Sequence, residues 1–192
     1  MLWWSGSYWR YVDRIAARLL PAPPPEEESV QRVSKSSWNQ GVQADTTTDM
    51  GAWTFSPLPV FNRVYMPEKT NEGIARLLEM PVVKEKGANL AMLNMSELTP
   101  LARTIGYALP TGPNQPVWYH QGVSVFQPQV DLYCEKIADK EFDVVLFEYL
   151  TSLNNFYPFQ IRDCLREHYQ QVDSFPAPRS DSYTLIEVYV PK

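Results

Sequence analysis

The sequence predicts an α/β fold: a small Rossmann-like three-layer sandwich with a mostly parallel sheet and an antiparallel C-terminal edge. Three observations predict it. From about residue 58, apolar runs of strand length alternate with stretches of helical periodicity, the pattern of crossover units that place helices on both faces of a sheet. The run "FDVVLF", residues 142–147, is apolar at successive positions, as a strand covered on both faces must be. The chain ends in "VDSF" and "YTLIEVYV", separated by the turn-forming "PAPRSD", which reads as an antiparallel pair.

The elements follow in order. "LPVFNRVYM", residues 58–66, reads as a strand, placed at an edge by its proline. Thr70 is suited to cap a helix whose apolar face is Ile74, Leu77 and Leu78. "ANLAMLNMS" is a buried strand that ends on polar residues. Thr99 and Pro100 form an N-cap and first-position pair, and Gly106 is the matching stop. "PVWYHQGVSVF" is extended. Pro128 opens a helix with Val130, Tyr133, Cys134 and Ile137 on one stripe. Strand 142–148 comes next, then a helix from Pro158 to Gln170 with Ile161, Cys164, Leu165, His168 and Tyr169 on one face.

Upstream of this domain, taken as 57–192, the text changes character. In residues 1–20, Trp3, Trp4 and Trp9 precede an apolar stripe of Val12, Ile15, Leu19 and Leu20, while Arg10 and Arg14 lie on the opposite side. An aromatic, arginine-bearing amphipathic helix suits a bilayer interface; the alternative is a helix docked on the domain's own core or on a partner such as a membrane protein. Residues 21–56 form a linker: "PAPPPEEE" favours an extended, solvated spacer, and the polar stretch after it has no apolar periodicity.

Composition narrows the function. The chain of 192 residues has a formal net charge of −5 and no Lys/Arg cluster, which argues against nucleic acid as a partner. No run of residues approaches the roughly 18 apolar residues of a membrane span. The two cysteines, Cys134 and Cys164, are far apart in sequence and fall on apolar helix faces, so buried free thiols are the expectation, with a disulfide as the alternative. Two histidines and two scattered cysteines give no metal-site spacing. No GxSxG elbow and no GxxxxGK[ST] loop is present, and "MLNMSELTP" lacks the glycines that a dinucleotide loop needs, so no cofactor is expected.

In open α/β sheets, ligands bind beyond the carboxyl ends of the strands. Glu97 and Glu148 follow such ends; Trp118, His120, Asn154, Asn155 and Tyr157 lie in the loops that flank them. Carboxylate, amide and imidazole groups beside aromatic faces suit a polar ligand such as a glycan. The two glutamates also raise an acid/base pair of the glycosidase kind. The plainer reading is that these residues cap helices and satisfy loop backbone, as Asn does in turns.

The C-terminal half, "FDVVLFE", an aromatic loop, "PFQIRDCLREHYQQVDSF" and "YTLIEVYVPK", resembles the soluble tail of membrane glycosyltransferases of the dolichyl-phosphate-mannose protein mannosyltransferase type. Asp143 before the apolar strand, Tyr169 after the helix and the strand Tyr183–Val190 carry the resemblance, which covers about residues 80–192. It implies a non-catalytic, extracytoplasmic α/β domain beside a membrane enzyme, because that family's catalytic acids lie in its membrane part and match no position here. The alternatives are a free-standing Rossmann-like transferase acting on sugars or nucleotides, and a plain protein-interaction module.

Overall fold

The computed structural model describes residues 49, 51–110, 123–149, 159–178 and 184–192, all within the unit Ser34–Lys192. The aromatic segment with Trp3, Trp4, Trp9, Arg10 and Arg14 lies outside these residues.

A two-stranded antiparallel ribbon comes first, β1 (Trp53–Phe55) with β2 (Tyr65–Pro67). The stretch expected as one strand from Leu58 is instead a single 3-10 turn at Pro59–Phe61 followed by β2. Helices α1 (Glu68–Glu79) and α2 (Pro81–Lys86) lead into β3 (Met92–Met95), and the short α3 (Leu101–Ile105) follows. Next come α4 (Phe126–Ala138), β4 (Val144–Glu148), α5 (Gln160–His168), β5 (Tyr169–Pro176) and β6 (Leu185–Pro191). Gly106 ends α3 in the left-handed conformation at φ 90°, where glycine carries no steric cost.

The main sheet corrects the Rossmann-like expectation. Its order is β3-β4-β6-β5, with β3 and β4 parallel and the other two pairings antiparallel. It is therefore a mixed four-stranded sheet, and its reversed strand is internal. The physical reason lies in the strand compositions. The crossover through α5 does bring β5 back in the direction of β4, but one strand position away. Strand β5, "YQQVDSFP", leaves its middle residues on water, whereas β6, "LIEVYVP", is buried from Ile186 to Tyr189. The hairpin returns the more apolar strand into the gap and leaves the polar one at the edge. Val172, 45% exposed, is the extra residue of a bulge in that edge, where the register shifts between Gln171 and Asp173; such a bulge twists an edge away from further pairing.

Alternation along the strands feeds two apolar layers. Met92, Val144, Leu146, Ile186 and Val188 meet Ile74 and Leu77 of α1, Val83 of α2 and Leu101 of α3. Leu93, Met95, Val145, Phe147 and Tyr189 meet Val130, Tyr133 and Ile137 of α4 and Ile161 and Leu165 of α5. All of β4 has 0% exposure, as its apolar run foretold.

Helix α1 docks on the edge strand through three residues spaced by three. Thr70, expected as a cap, lies inside the first turn, and its hydroxyl donates to the carbonyl of Pro176 at 2.8 Å. Gly73 lies against Phe175 so closely that an added Cβ would overlap the ring. Arg76 makes a bidentate pair with Asp173, Nε to Oδ2 at 2.8 Å and a terminal nitrogen to Oδ1 at 3.1 Å.

The cysteines also correct the expectation. Cys134 of α4 and Cys164 of α5 form a disulfide, with Cα atoms 5.5 Å apart, inside the range that a disulfide needs. Sequence distance hid the pairing. Both helices cover the same sheet face, and that shared face brings half-buried cysteines 30 residues apart into contact.

Gly73→Ala tests the docking. Alanine is the better helix former by ~1 kcal/mol, yet overpacking against Phe175 should lower stability by about 1–3 kcal/mol in urea unfolding. A second change, Phe175→Leu, should recover part of that loss. A stabilised Gly73→Ala variant would contradict the close approach.

Candidate functional site

The carboxyl ends of β3 and β4 and the start of β6 share one end of the sheet, where Tyr149 N–H donates to the carbonyl of Leu185 at 2.9 Å. Two polar groups of residues lie there, on opposite faces.

The first lies on the α1–α3 side. Asn94 of β3 accepts from both the backbone N–H and the hydroxyl of Ser96, at 3.1 and 2.6 Å, and its amide donates to the carbonyl of Leu98 at 3.0 Å. Ser96 Oγ in turn accepts from Leu98 N–H at 3.2 Å. A short polar side chain that bonds the backbone two residues on builds a turn by itself, and this one turns β3 toward α3. Glu148, 0% exposed, reaches into the same turn. Its Oε2 accepts from the Glu97 backbone N–H at 3.3 Å, and its Oε1 accepts from the Thr184 hydroxyl at 3.3 Å. The structure thus joins two of the sequence candidates, Glu97 and Glu148, through a backbone amide, with Glu148 buried and Glu97 on the exposed surface. The buried carboxylate ties the β3 turn to the start of β6.

The second group lies on the α4–α5 side. Glu187 projects from the middle of β6, 5% exposed, and forms a bidentate ion pair with Arg162 of α5, one arm being Nε to Oε2 at 2.9 Å. The Tyr189 hydroxyl donates to the same Oε2 at 2.8 Å. The Arg162 guanidinium also lies 3.9 Å above the ring of Tyr149, which meets Phe159 edge-on at 5.6 Å between centroids. Arginine suits this place because one planar group both forks onto a carboxylate and stacks on a ring. Burial is the largest single influence and would lower the pKa of Arg162, but the hydrogen bond and charge of Glu187, together with Tyr189, outweigh it and the net shift is upward. Burial, then the Glu187 carboxylate, push Tyr189 up to about 12.

None of Arg162, Glu187 and Tyr189 is among the residues the sequence singled out, whereas Tyr149 follows Glu148 in a strand end that it did. One signal was available: Glu187 interrupts an otherwise apolar run, and a charge inside a buried strand requires a partner. Trp118, His120, Asn154, Asn155 and Tyr157 lie outside the described residues.

At the far end of β4 a different cluster fixes the strand's entry. Asp143 accepts from the Ala91 N–H at 2.9 Å and pairs with Lys86 at 2.6 Å. The Tyr169 hydroxyl donates to the carbonyl of Phe142 at 2.8 Å and accepts from its N–H at 3.2 Å. Away from both ends, the ribbon β1–β2 presents an aromatic row. The Tyr65 ring lies 5.8 Å from that of Trp53 and 5.1 Å from that of Phe55, while Phe55 is 62% and Tyr65 54% exposed.

Among the described residues, no group of His, Cys, Asp and Glu is arranged to hold a metal ion, and no helix is long and apolar enough to cross a membrane. No family model, curated protein or solved structure matches the chain.

The Tyr189 bond gives a pH-dependent prediction. A tyrosine whose folded pKa lies above its unfolded value of ~10 contributes stability that is complete below pH 10 and is lost as pH rises toward 12. Tyr189→Phe should cost about 1 kcal/mol at neutral pH through the lost hydrogen bond. The gap between the parent and this variant should then close as pH rises from 10 to 12. Urea unfolding across that range measures it, and a gap that stays constant would contradict the buried phenol–carboxylate contact.

Proposed function

We propose that this chain is a non-catalytic α/β domain that serves a membrane glycosyltransferase or cell-envelope glycan synthesis at the extracytoplasmic face. The observation that carries the non-catalytic part is the inward use of charge at the carboxyl end of the sheet. Arg162, Glu187 and Tyr189 bond to one another, and Glu148 bonds to a turn and to Thr184. An acid/base pair must reach a substrate; these groups are directed at the domain's own framework.

Support for the glycan-synthesis part comes from the residues that carry the resemblance. Asp143 and Tyr169 clamp the entry of β4, and the final strand fills the sheet interior.

A second reading, a protein-interaction module, is favoured by the aromatic row of Trp53, Tyr65 and Phe55. Two exposed rings, Phe55 and Tyr65, beside the partly buried Trp53 form the kind of patch that marks a contact surface. The two readings are compatible, since a domain that serves a membrane enzyme works by contact.

Two measurements test the proposal. The purified chain, offered polyprenyl-phosphate sugars or nucleotide sugars, should show no transfer or hydrolysis above the uncatalysed rate; turnover that is lost in Glu148→Gln would establish the enzyme reading instead. The full chain should also bind anionic lipid vesicles through Trp3, Trp4 and Trp9, helped by Arg10 and Arg14. Tryptophan emission should shift to the blue, and the shift should weaken as salt is added. No shift at low salt would remove the membrane-surface part of the proposal.

A further inference from the structure

The disulfide between α4 and α5 has a consequence for where and with what help the chain matures. We propose that Cys134 and Cys164 are a site of oxidative modification, closed by thiol–disulfide exchange with a dithiol oxidant, and that the closed bond holds Arg162 on Glu187. The inference agrees with the extracytoplasmic placement proposed above but stands on a different observation, so it survives or fails apart from any glycan.

The geometry makes the pair a prepared site. Each cysteine is half-buried on a helix that packs on the same sheet face, beside Tyr133, Ile137, Ile161 and Leu165. In the closed bond the Cα atoms are 5.5 Å apart, inside the range that a disulfide needs. Helix α5 has nine residues, and Arg162 precedes Cys164 by two. One side of this short helix is tied covalently to α4, and Arg162 reaches Glu187 of β6. The covalent bond adds to the packing of α4 and α5 on their shared sheet face, two residues from the arginine that pairs with Glu187.

The chemistry balances through a partner. One cysteine thiolate attacks the disulfide of the oxidant, forming a mixed disulfide and releasing one oxidant thiol. The second cysteine thiolate attacks the mixed disulfide at the protein's sulfur, closing Cys134–Cys164 and expelling the other oxidant thiolate. The chain loses two electrons and two protons, and the oxidant becomes a dithiol. Such bonds persist in oxidising compartments and are rare where thiols are kept reduced, so the partner belongs to an oxidising compartment.

The test traps thiols before lysis. The full chain is expressed both with export to an oxidising compartment and without export, and cells are treated with an alkylating agent before they are opened. Intact mass is then read with and without reduction. The exported chain should take up no alkyl group until it is reduced, and two afterwards. Two alkyl groups on the exported chain without reduction would overturn the proposal, because a bond found later would then be an artefact of air oxidation. For the link to Arg162, reductant should lower the Tm of the parent by about 5–10 °C and speed trypsin cleavage after Arg162. The variant Cys134→Ala/Cys164→Ala should start at the lower Tm and ignore reductant. If reductant changes neither the Tm of the parent nor its cleavage at Arg162, the bond does not hold α5 and that half of the proposal is wrong.

Discussion

A strand whose residues are all shut off from water needs apolar cover on both faces and hydrogen-bonded neighbours on both edges. Strand β4 imposes that demand here, with Val144 to Glu148 all at 0% exposure. Its faces are met by two separate helix layers, α1 to α3 on one side and α4 with α5 on the other. Its edges are met by β3 in parallel and β6 in reverse. The second edge decides the topology. An apolar strand is required beside β4, and β6 is better suited to that place than the polar β5, so the hairpin folds back into the sheet and does not add to its rim.

Burying β6 in this way carries Glu187 with it. A carboxylate in such a place is costly unless it is paired and hydrogen-bonded. The solution is Arg162, supplied by the helix that covers the same face, with the Tyr189 hydroxyl on a shared oxygen and the Tyr149 ring under the guanidinium. On the opposite face Glu148, the last residue of β4, is spent on the turn after β3 and on Thr184. The strand ends that would form a ligand rim in a doubly wound sheet are therefore also the places where this fold secures its own buried charges. This dual demand is why the proposed function assigns the domain to contact and support.

Much of the local structure was legible in the sequence. The apolar run gave β4 its burial, helical stripes located α1, α4 and α5, Gly106 marked the end of α3, and "PAPRSD" marked the final hairpin. The sheet order was not legible, because alternation of strands and helices sets direction but not adjacency. The role of Thr70 was not legible either: a threonine near a helix start reads as a cap, and its true partner, the carbonyl of Pro176, is 106 residues away. The same limit hid the disulfide, which depends on two helices sharing a face. At the site, the sequence drew attention to exposed-looking loop residues and passed over Glu187 in the middle of a strand, although a charge in an apolar run is the stronger sign of a specific partner.

The charges at the carboxyl end of the sheet stabilise the fold by bonding to its own framework. A double-mutant cycle on Arg162 and Glu187 tests it most directly, using Arg162→Met, Glu187→Gln and the pair together in chemical unfolding. A coupling energy of about 1.5–3 kcal/mol is expected, the scale of a buried, charge-assisted contact. A coupling below about 0.5 kcal/mol, with each single variant close to the parent in stability, would contradict that role.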